Sequence, residues 1–353
     1  MWRKREINNL IEKDILDMRK MATIRKIDSL LPIEGADAIE CAVVGGWKVV
    51  VKKGEFNAGD LAVYCEIDSW IPTELAPFLS KGKEPREFEG IKGERLRTVK
   101  LRGQLSQGLL LPLEPTCENI VSELIEGLDV SFPLNIVKWE MAVPAQLAGQ
   151  VKGNFPTAIP KTDQERVQNL AKEVFAARGE FFEVTEKLEG SSMTCYLLDG
   201  EFGVCSRNLD LKRDENNSFW KVAIEKDIET KMRNANLEGY AIQGELCGPG
   251  IQGNIYKLPK LMFYIYDIYD TNRGDYLTPL ERHELNKTLE LNHVPYFGEP
   301  VNLAGGTVDE ILAFAEAKSF LNVLQEREGV VFKHNNGGMS FKAISNKYLL
   351  GEK

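Results

Sequence analysis

Four charged residues interrupt runs that otherwise read as buried strands, and they constrain this chain more than any other feature. Lys187 ends the run Phe181-Phe182-Glu183-Val184-Thr185-Glu186 and is followed by the turn Leu188-Glu189-Gly190-Ser191-Ser192. Glu245 sits inside Ile242-Gln243-Gly244-Glu245-Leu246, and Glu328 opens Glu328-Gly329-Val330-Val331-Phe332-Lys333. Lys342 breaks Met339-Ser340-Phe341-Lys342-Ala343-Ile344, with Lys347 soon after. Charges buried without partners are too costly to keep, so the strands that carry these four have to share a polar cleft. Carboxylate oxygens there suit a magnesium ion held partly through water and partly through a bound phosphate. Lysines and arginines suit the phosphates themselves. A lysine at the floor of such a cleft is a nucleophile only as the free amine. With an ordinary pKa of about 10.4 it is almost wholly protonated at neutral pH. A nearby cation or desolvation has to lower that value.

The rest of the chain reads as two domains. From Ala22 to Pro133 short runs such as Cys41-Val44, Trp47-Val51 and Leu61-Ile67 are separated by Gly45-Gly46, Lys53-Gly54 and Ala58-Gly59-Asp60. Short strands with frequent turns predict a small β-barrel of the OB type. Trp47 and Trp70 fit its core or a stacking surface equally well. The boundary falls near Asn135, giving an extension over 1–20, a barrel over 21–135 and a mixed domain over 136–353. In the extension, Ile7, Leu10, Ile11 and Leu16 follow helical spacing. In the second domain Thr162-Asp163-Gln164-Glu165 has the form of a capping box for a helix ending at Gly179. Asp199-Gly200 predicts a hairpin, and a helix is expected around Phe219–Met232. Strands follow over Tyr240–Leu246 and Leu261–Ile268, capping boxes start helices at Thr278 and Thr307, and a last hairpin turns at Asn336-Gly337-Gly338. The fold class is thus α+β and multidomain.

Composition excludes several classes. No apolar run is long enough to cross a membrane as a helix, and the charged first twenty residues are no secretory signal. The six cysteines form no CxxC pair and only three histidines are present. A thiolate zinc site or disulfide scaffold is therefore not expected, and a reducing intracellular setting, cytoplasmic or nucleoplasmic, is. The net charge of −9 argues against a wholly basic nucleic-acid coat. Between Lys81 and Arg102, however, eight lysines and arginines face four glutamates, a strip that could follow a phosphate backbone.

The order Lys187-Leu-Glu-Gly, Ser206-Arg207-Asn208, Gly244-Glu245-Leu246, Phe263-Tyr-Ile-Tyr-Asp267, Glu328-Gly329 and Lys342 resembles the nucleotidyltransferase motifs of ATP-dependent ligases and capping enzymes. The nearest likeness is to ATP-dependent RNA ligases with an OB domain in front of a nucleotidyltransferase domain built of ATP-grasp-like antiparallel sheets and helices. It extends from Met21 to the C-terminus and includes Lys100-Leu-Arg-Gly-Gln-Leu-Ser-Gln-Gly108. The resemblance implies that Lys187 attacks the α-phosphate of ATP to give a lysyl-adenylate. AMP then passes to a 5′-phosphate, and a 3′-hydroxyl displaces it. It implies Lys342 as the second catalytic residue, at the α-phosphate, and Glu189, Glu245 and Glu328 around Mg2+ or Mn2+. Tyr266 would stack on adenine, and Arg166, Glu186, Gly190, Arg207 and Lys347 would complete the ATP site. The implied partner is RNA or an RNA-containing nicked duplex, with no membrane and a monomeric enzyme. One departure is Glu189, where relatives usually carry Asp, Asn or His.

Two decoys and two rivals accompany this reading. Gly248-Pro249-Gly250-Ile251-Gln252-Gly253 satisfies a dinucleotide fingerprint, but no helix follows to receive a pyrophosphate, so a loop at the cleft rim is expected. A glycosidase pair of carboxylates leaves Lys187 and Lys342 unexplained. The rivals are a GTP-using capping guanylyltransferase and a non-catalytic nucleotide- or RNA-binding protein.

Overall fold

The structure, a computed structural model, describes residues 19–140, 149–176 and 178–351. The helix expected from Ile7 to Leu16 lies outside them. The chain divides into two compact units, Met1–Ala142 and Val143–Lys353.

The described residues of the first unit form twelve short strands: β1 (Ala22–Lys26), β2 (Ser29–Pro32), β3 (Ile39–Val44), β4 (Trp47–Lys52), β5 (Leu61–Cys65), β6 (Ser69–Pro72), β7 (Arg86–Phe88), β8 (Ile91–Arg95), β9 (Val99–Leu101), β10 (Gln104–Ser106), β11 (Leu109–Pro112) and β12 (Val137–Lys138). They form antiparallel sheets in the orders β1-β5-β11, β2-β3-β4 and β12-β6-β8-β7, with β9 and β10 paired alone. Strand alternation decides what is inside. In β4 the side chains of Trp47, Val49 and Val51 are buried while those between them are not. Both tryptophans belong to the core. Trp47 is fully buried against Tyr64, with ring centroids 5.6 Å apart, and Trp70 donates its indole N–H to the Ile91 carbonyl at 3.0 Å. The basic strip lies largely on β7–β10. Arg86 pairs with Glu94, Lys92 with Glu84 and Arg95 with Asp68, so part of its positive charge is already neutralised.

The described residues of the second unit form two sheets. The larger contains β13 (Val151–Asn154), β16 (Ser191–Leu198), β17 (Glu201–Cys205), β18 (Leu209–Leu211), β19 (Tyr240–Cys247), β20 (Met262–Asp270) and β21 (Asp275–Tyr276), in the order β13-β18-β17-β16-β19-β20-β21, with β22 (Asn292–His293) added in parallel to β20. The smaller runs β14-β24-β23-β15, from β14 (Glu165–Arg166), β15 (Phe182–Lys187), β23 (Gly329–His334) and β24 (Ser340–Ile344). One face of the larger sheet is covered by helices Ser218–Glu225 and Ile228–Asn234, whose Phe219, Trp220, Val222, Ile228 and Met232 share a core with Met193, Cys195, Val204 and Ile242.

Local chemistry accounts for most boundaries. Asp199 and Gly200 both have positive φ, as a primed hairpin turn requires. Thr278 and Thr307 close true capping boxes with Glu281 and Glu310. The helix expected over Phe219–Met232 is instead two helices, broken where Asp227 takes φ 52°. The capping box expected at Thr162 does not form. Residues 161–164 are irregular, Glu165 and Arg166 pair with β24, and the helix is only Ala171–Ala176. Thr162 spends its hydroxyl elsewhere, as described next. Among the described residues no helix is long and apolar enough to cross a membrane.

Candidate active site

The turn Leu188–Gly190 carries the chain from β15 in the smaller sheet to β16 in the larger, which puts Lys187 where the two sheets meet. Glu328 directly precedes β23, whose Gly329 is the register partner of Lys187. The two side chains form an ion pair, with Nζ 2.7 Å from Oε1. Glu245 comes from β19 opposite Ser192, and its carboxylate accepts the Gly190 N–H. Gly190 is required by close approach: an added Cβ would lie 2.4 Å from the Leu246 carbonyl oxygen. Lys342 on β24 is the register partner of both Val331 and Arg166. Its Nζ lies 2.9 Å from Asp163 Oδ1, and the other oxygen of Asp163 is 3.7 Å from Arg207. Lys187, Glu245, Glu328, Lys342 and Arg207 are thus brought together with Asp163 in one polar cleft, the first four being those that the strand pattern singles out. Arg166 is placed beside Lys342 by strand register alone.

Tyr266 enters by a different device. Across β19 and β20 Gln243 faces Asp267 while Gly244 faces Ile265, so Tyr266 is the extra residue of a β-bulge, which re-aims a side chain. Its hydroxyl meets Thr162 Oγ1 at 2.8 Å and Ser192 Oγ at 3.2 Å. Behind it lies Lys333, 6% exposed, whose Nζ donates to the Tyr266 carbonyl, pairs with Asp267 and sits 5.5 Å from the Tyr266 ring centroid. Burial pulls the Lys333 amine down to about 8, against the pull of Asp267.

The electrostatics correct one expectation. Burial pushes the Lys187 amine toward neutrality, but Glu328, Glu245 and Asp163 outweigh it and raise its pKa above the ordinary value. The protein alone therefore holds the amine charged. Burial first, and then Glu328, push the Glu245 carboxyl up to about 8, opposed by Lys187 and Arg207. Burial also raises Glu189, opposed by a hydrogen bond from Tyr348, with Glu328 adding to the rise. Carboxyls held this reluctantly ionised gain from added positive charge, which fits a divalent cation. Among the described residues no three such side chains converge closely enough to enclose a metal directly. The expected set Glu189, Glu245 and Glu328 is therefore no preformed inner cage.

Two assignments fall outside the cleft cluster. Lys347, nearly half exposed, faces Glu316 at 3.9 Å. Glu186 is 1% exposed and its Oε2 accepts the Phe320 N–H at 2.9 Å, because strand alternation turns it to the face opposite Lys187. Only the backbone of Glu186 remains to face a ligand beside Lys187. Conversely, Asp163 and Lys333 were not foreseen. Asp163 was hidden in an apparent capping box, whereas Lys333, a lysine in an apolar strand run, carried the same signal as Lys342.

Glu245 makes the cleft's cost measurable. In the unfolded chain its carboxyl ionises near 4.5, and in the folded protein near 8. Between those values the unfolded state has released its proton and the folded state has not, so raising the pH through this window lowers stability. The expected result is that Glu245→Gln unfolds at a higher temperature than the parent at pH 8, by about a few degrees. The gap should shrink toward pH 4.5, as followed by thermal unfolding across pH. A gap that does not vary with pH would refute the raised carboxyl.

Residues 180–344 match the RNA ligase family model, and residues 21–113 match an OB-fold domain model. A Naegleria gruberi RNA ligase mutant with AMP and Mn is 46% identical, with 94% of this chain and 98% of that chain covered and a TM-score of 0.87. Naegleria gruberi RNA ligase with PPi is 47% identical, with the same 94% and 98% coverage and a TM-score of 0.87. A mutant of that ligase with ATP and Mn is 46% identical over 94% and 98% of the two chains, again with a TM-score of 0.87. No curated protein matches the chain.

Proposed function

The chain belongs to the RNA ligase family as an ATP-dependent enzyme, and on that premise we propose that the ends it seals are 3′-hydroxyl and 5′-phosphate termini at nicks in RNA-containing duplexes. The observation that carries its chemistry is the Lys187–Glu328 pair at 2.7 Å, flanked by Glu245 on one side and by Lys342, Asp163 and Arg207 on the other. Lys187 Nζ attacks the α-phosphate of ATP, a phosphorus–nitrogen bond forms and pyrophosphate leaves. The AMP passes to the 5′-phosphate, freeing Lys187, and the 3′-hydroxyl then displaces AMP to form the phosphodiester.

Each residue has a task in this reading. Glu328 holds the amine in place and, with the other carboxylates, would bring positive charge to the triphosphate. Lys342, with Arg166 beside it in register, binds the α-phosphate and stabilises its developing charge, in the place where Lys342 now contacts Asp163. Arg207 contacts phosphates at the exposed mouth of the cleft. Tyr266 offers its ring face to adenine. Glu189, Glu245 and Glu328 would hold a divalent cation through its water shell, and that ion supplies positive charge that lowers the amine's pKa and screens the triphosphate. The basic hairpins of the first unit bind RNA.

Two measurements test the proposal. Label from α-labelled ATP, and not from GTP, is expected on the chain; preference for GTP would point to a capping-type guanylyltransferase, and nucleotide binding without an adduct to a non-catalytic protein. A panel of duplexes nicked with RNA or DNA on each strand, alongside free single strands, reads the substrate. Sealing of single strands faster than nicks would overturn the duplex assignment.

A further inference from the structure

The loop that imitates a dinucleotide fingerprint is followed by turns and not by a helix that could receive a phosphate, yet it lies directly against the turn that follows Lys187. Gln252 Nε2 donates to the Gly190 carbonyl at 3.3 Å, and Cys247 Sγ lies 3.7 Å from the Glu189 carbonyl oxygen. The strongest contact comes from Tyr256, whose hydroxyl oxygen accepts the Glu189 N–H at 2.6 Å. The Tyr256 ring is 3% exposed and packs with Leu188, Cys247, Tyr264 and Val294. The loop is itself held: the Asn254 side chain makes two hydrogen bonds, both 3.1 Å, with the Leu258 backbone, and Asn322 Nδ2 donates to the Ile255 carbonyl at 3.1 Å.

The geometry of that contact has a cause. As the chain leaves β15 for β16 it changes sheets, so the Glu189 N–H has no ladder partner between Lys187 and Ser191. A partly buried backbone donor in such a place needs an acceptor. Tyr256 supplies one from a ring wedged in a small apolar core, so the acceptor itself cannot drift. The turn is thereby fixed one peptide beyond the nucleophile, and with it the direction in which Lys187 leaves its strand.

We propose that Tyr256 is a positioning residue for attack by Lys187 on ATP: through the Glu189 N–H it locks the Leu188–Gly190 turn and aims the amine. The proposal rests on the ligase reading above. It separates the first chemical step, in which Lys187 is the nucleophile, from the last, in which a 3′-hydroxyl attacks an AMP-capped 5′ end and Lys187 forms no bond.

The test is Tyr256→Phe, which keeps the ring and removes the hydroxyl. Under single turnover, formation of the lysyl-adenylate is expected to slow about tenfold at saturating ATP, a loss of aim and not of affinity, so the half-saturating ATP concentration stays near the parent's. Sealing of a pre-adenylated nick by the same variant should change less than about twofold. Gln252→Ala, which removes the second brace from the outside of the loop, should show the same split at smaller amplitude and decides the question should the first variant not fold. Equal losses in both steps, or no loss in either, would overturn the proposal. Failure of the unaltered protein to form any lysyl-adenylate would instead remove the ligase reading on which it stands.

Discussion

Lys187→Ala and Lys187→Arg are both expected to abolish transfer of label from α-labelled ATP to the chain, by at least about a thousandfold. The two variants fail for different reasons, which makes the pair informative. Alanine removes the nucleophile and also the cation that faces Glu328 at 2.7 Å and restrains the raised Glu245 carboxyl. Arginine keeps the positive charge but cannot present a free amine, since its guanidinium stays protonated in proteins. Thermal unfolding should therefore show Lys187→Ala departing from the parent more than Lys187→Arg, while labelling is lost in both. Mass spectrometry of the unaltered protein after exposure to ATP should place the adenylyl increment on Lys187 and on no other lysine. Lys333, although lowered to about 8, is enclosed between Tyr266 and Asp267 and is expected to stay unmodified. A label that survives in Lys187→Arg would move the nucleophile elsewhere and dismantle the assignment.

The cleft was legible in the sequence because burial makes charge in a strand expensive, and the chain kept such charges at Lys187, Glu245, Glu328 and Lys342. Each then had to find an opposite partner, and strands that hold opposite partners must meet. Other parts were hidden by rules that the sequence satisfied without using. Thr162-Asp163-Gln164-Glu165 meets the pattern of a helix start, yet Thr162 bonds Tyr266 and Asp163 bridges Lys342 and Arg207. A local pattern of four residues cannot reveal that a distant tyrosine and lysine compete for the same side chains. Glu186 shows a limit of another kind: adjacent residues of a strand point to opposite faces, so beside Lys187 it could offer a ligand its backbone and not its side chain. Tyr256 gave no signal at all, since its role depends on which turn its loop happens to cover. The two-residue hairpin at Asp199-Gly200 and the helix starts at Thr278 and Thr307 were readable because their chemistry closes within the motif itself.

Glu328→Gln separates two roles that the ion pair combines, and the expected outcomes have opposite signs. Glu328 is the first of the groups that hold the Lys187 proton in place, ahead of Glu245 and Asp163. Replacing its charge with an amide of the same shape leaves burial, which favours the neutral amine, less opposed. The Lys187 pKa should fall, and reaction of that lysine with a small amine-directed reagent near pH 8 should become faster than in the parent. Adenylylation should nevertheless drop by about a hundredfold or more, because the same carboxylate is one of three that would bring positive charge to the triphosphate, and the others, Glu189 and Glu245, are already reluctant to ionise. A free amine is thus necessary and not sufficient: the group that hinders deprotonation in the protein alone is also required for the phosphate to be attacked. Were both rates to rise, Glu328 would be only a brake on the amine. Were both to fall, it would be a support for the strand that follows it, and the chemical role argued for it would be lost.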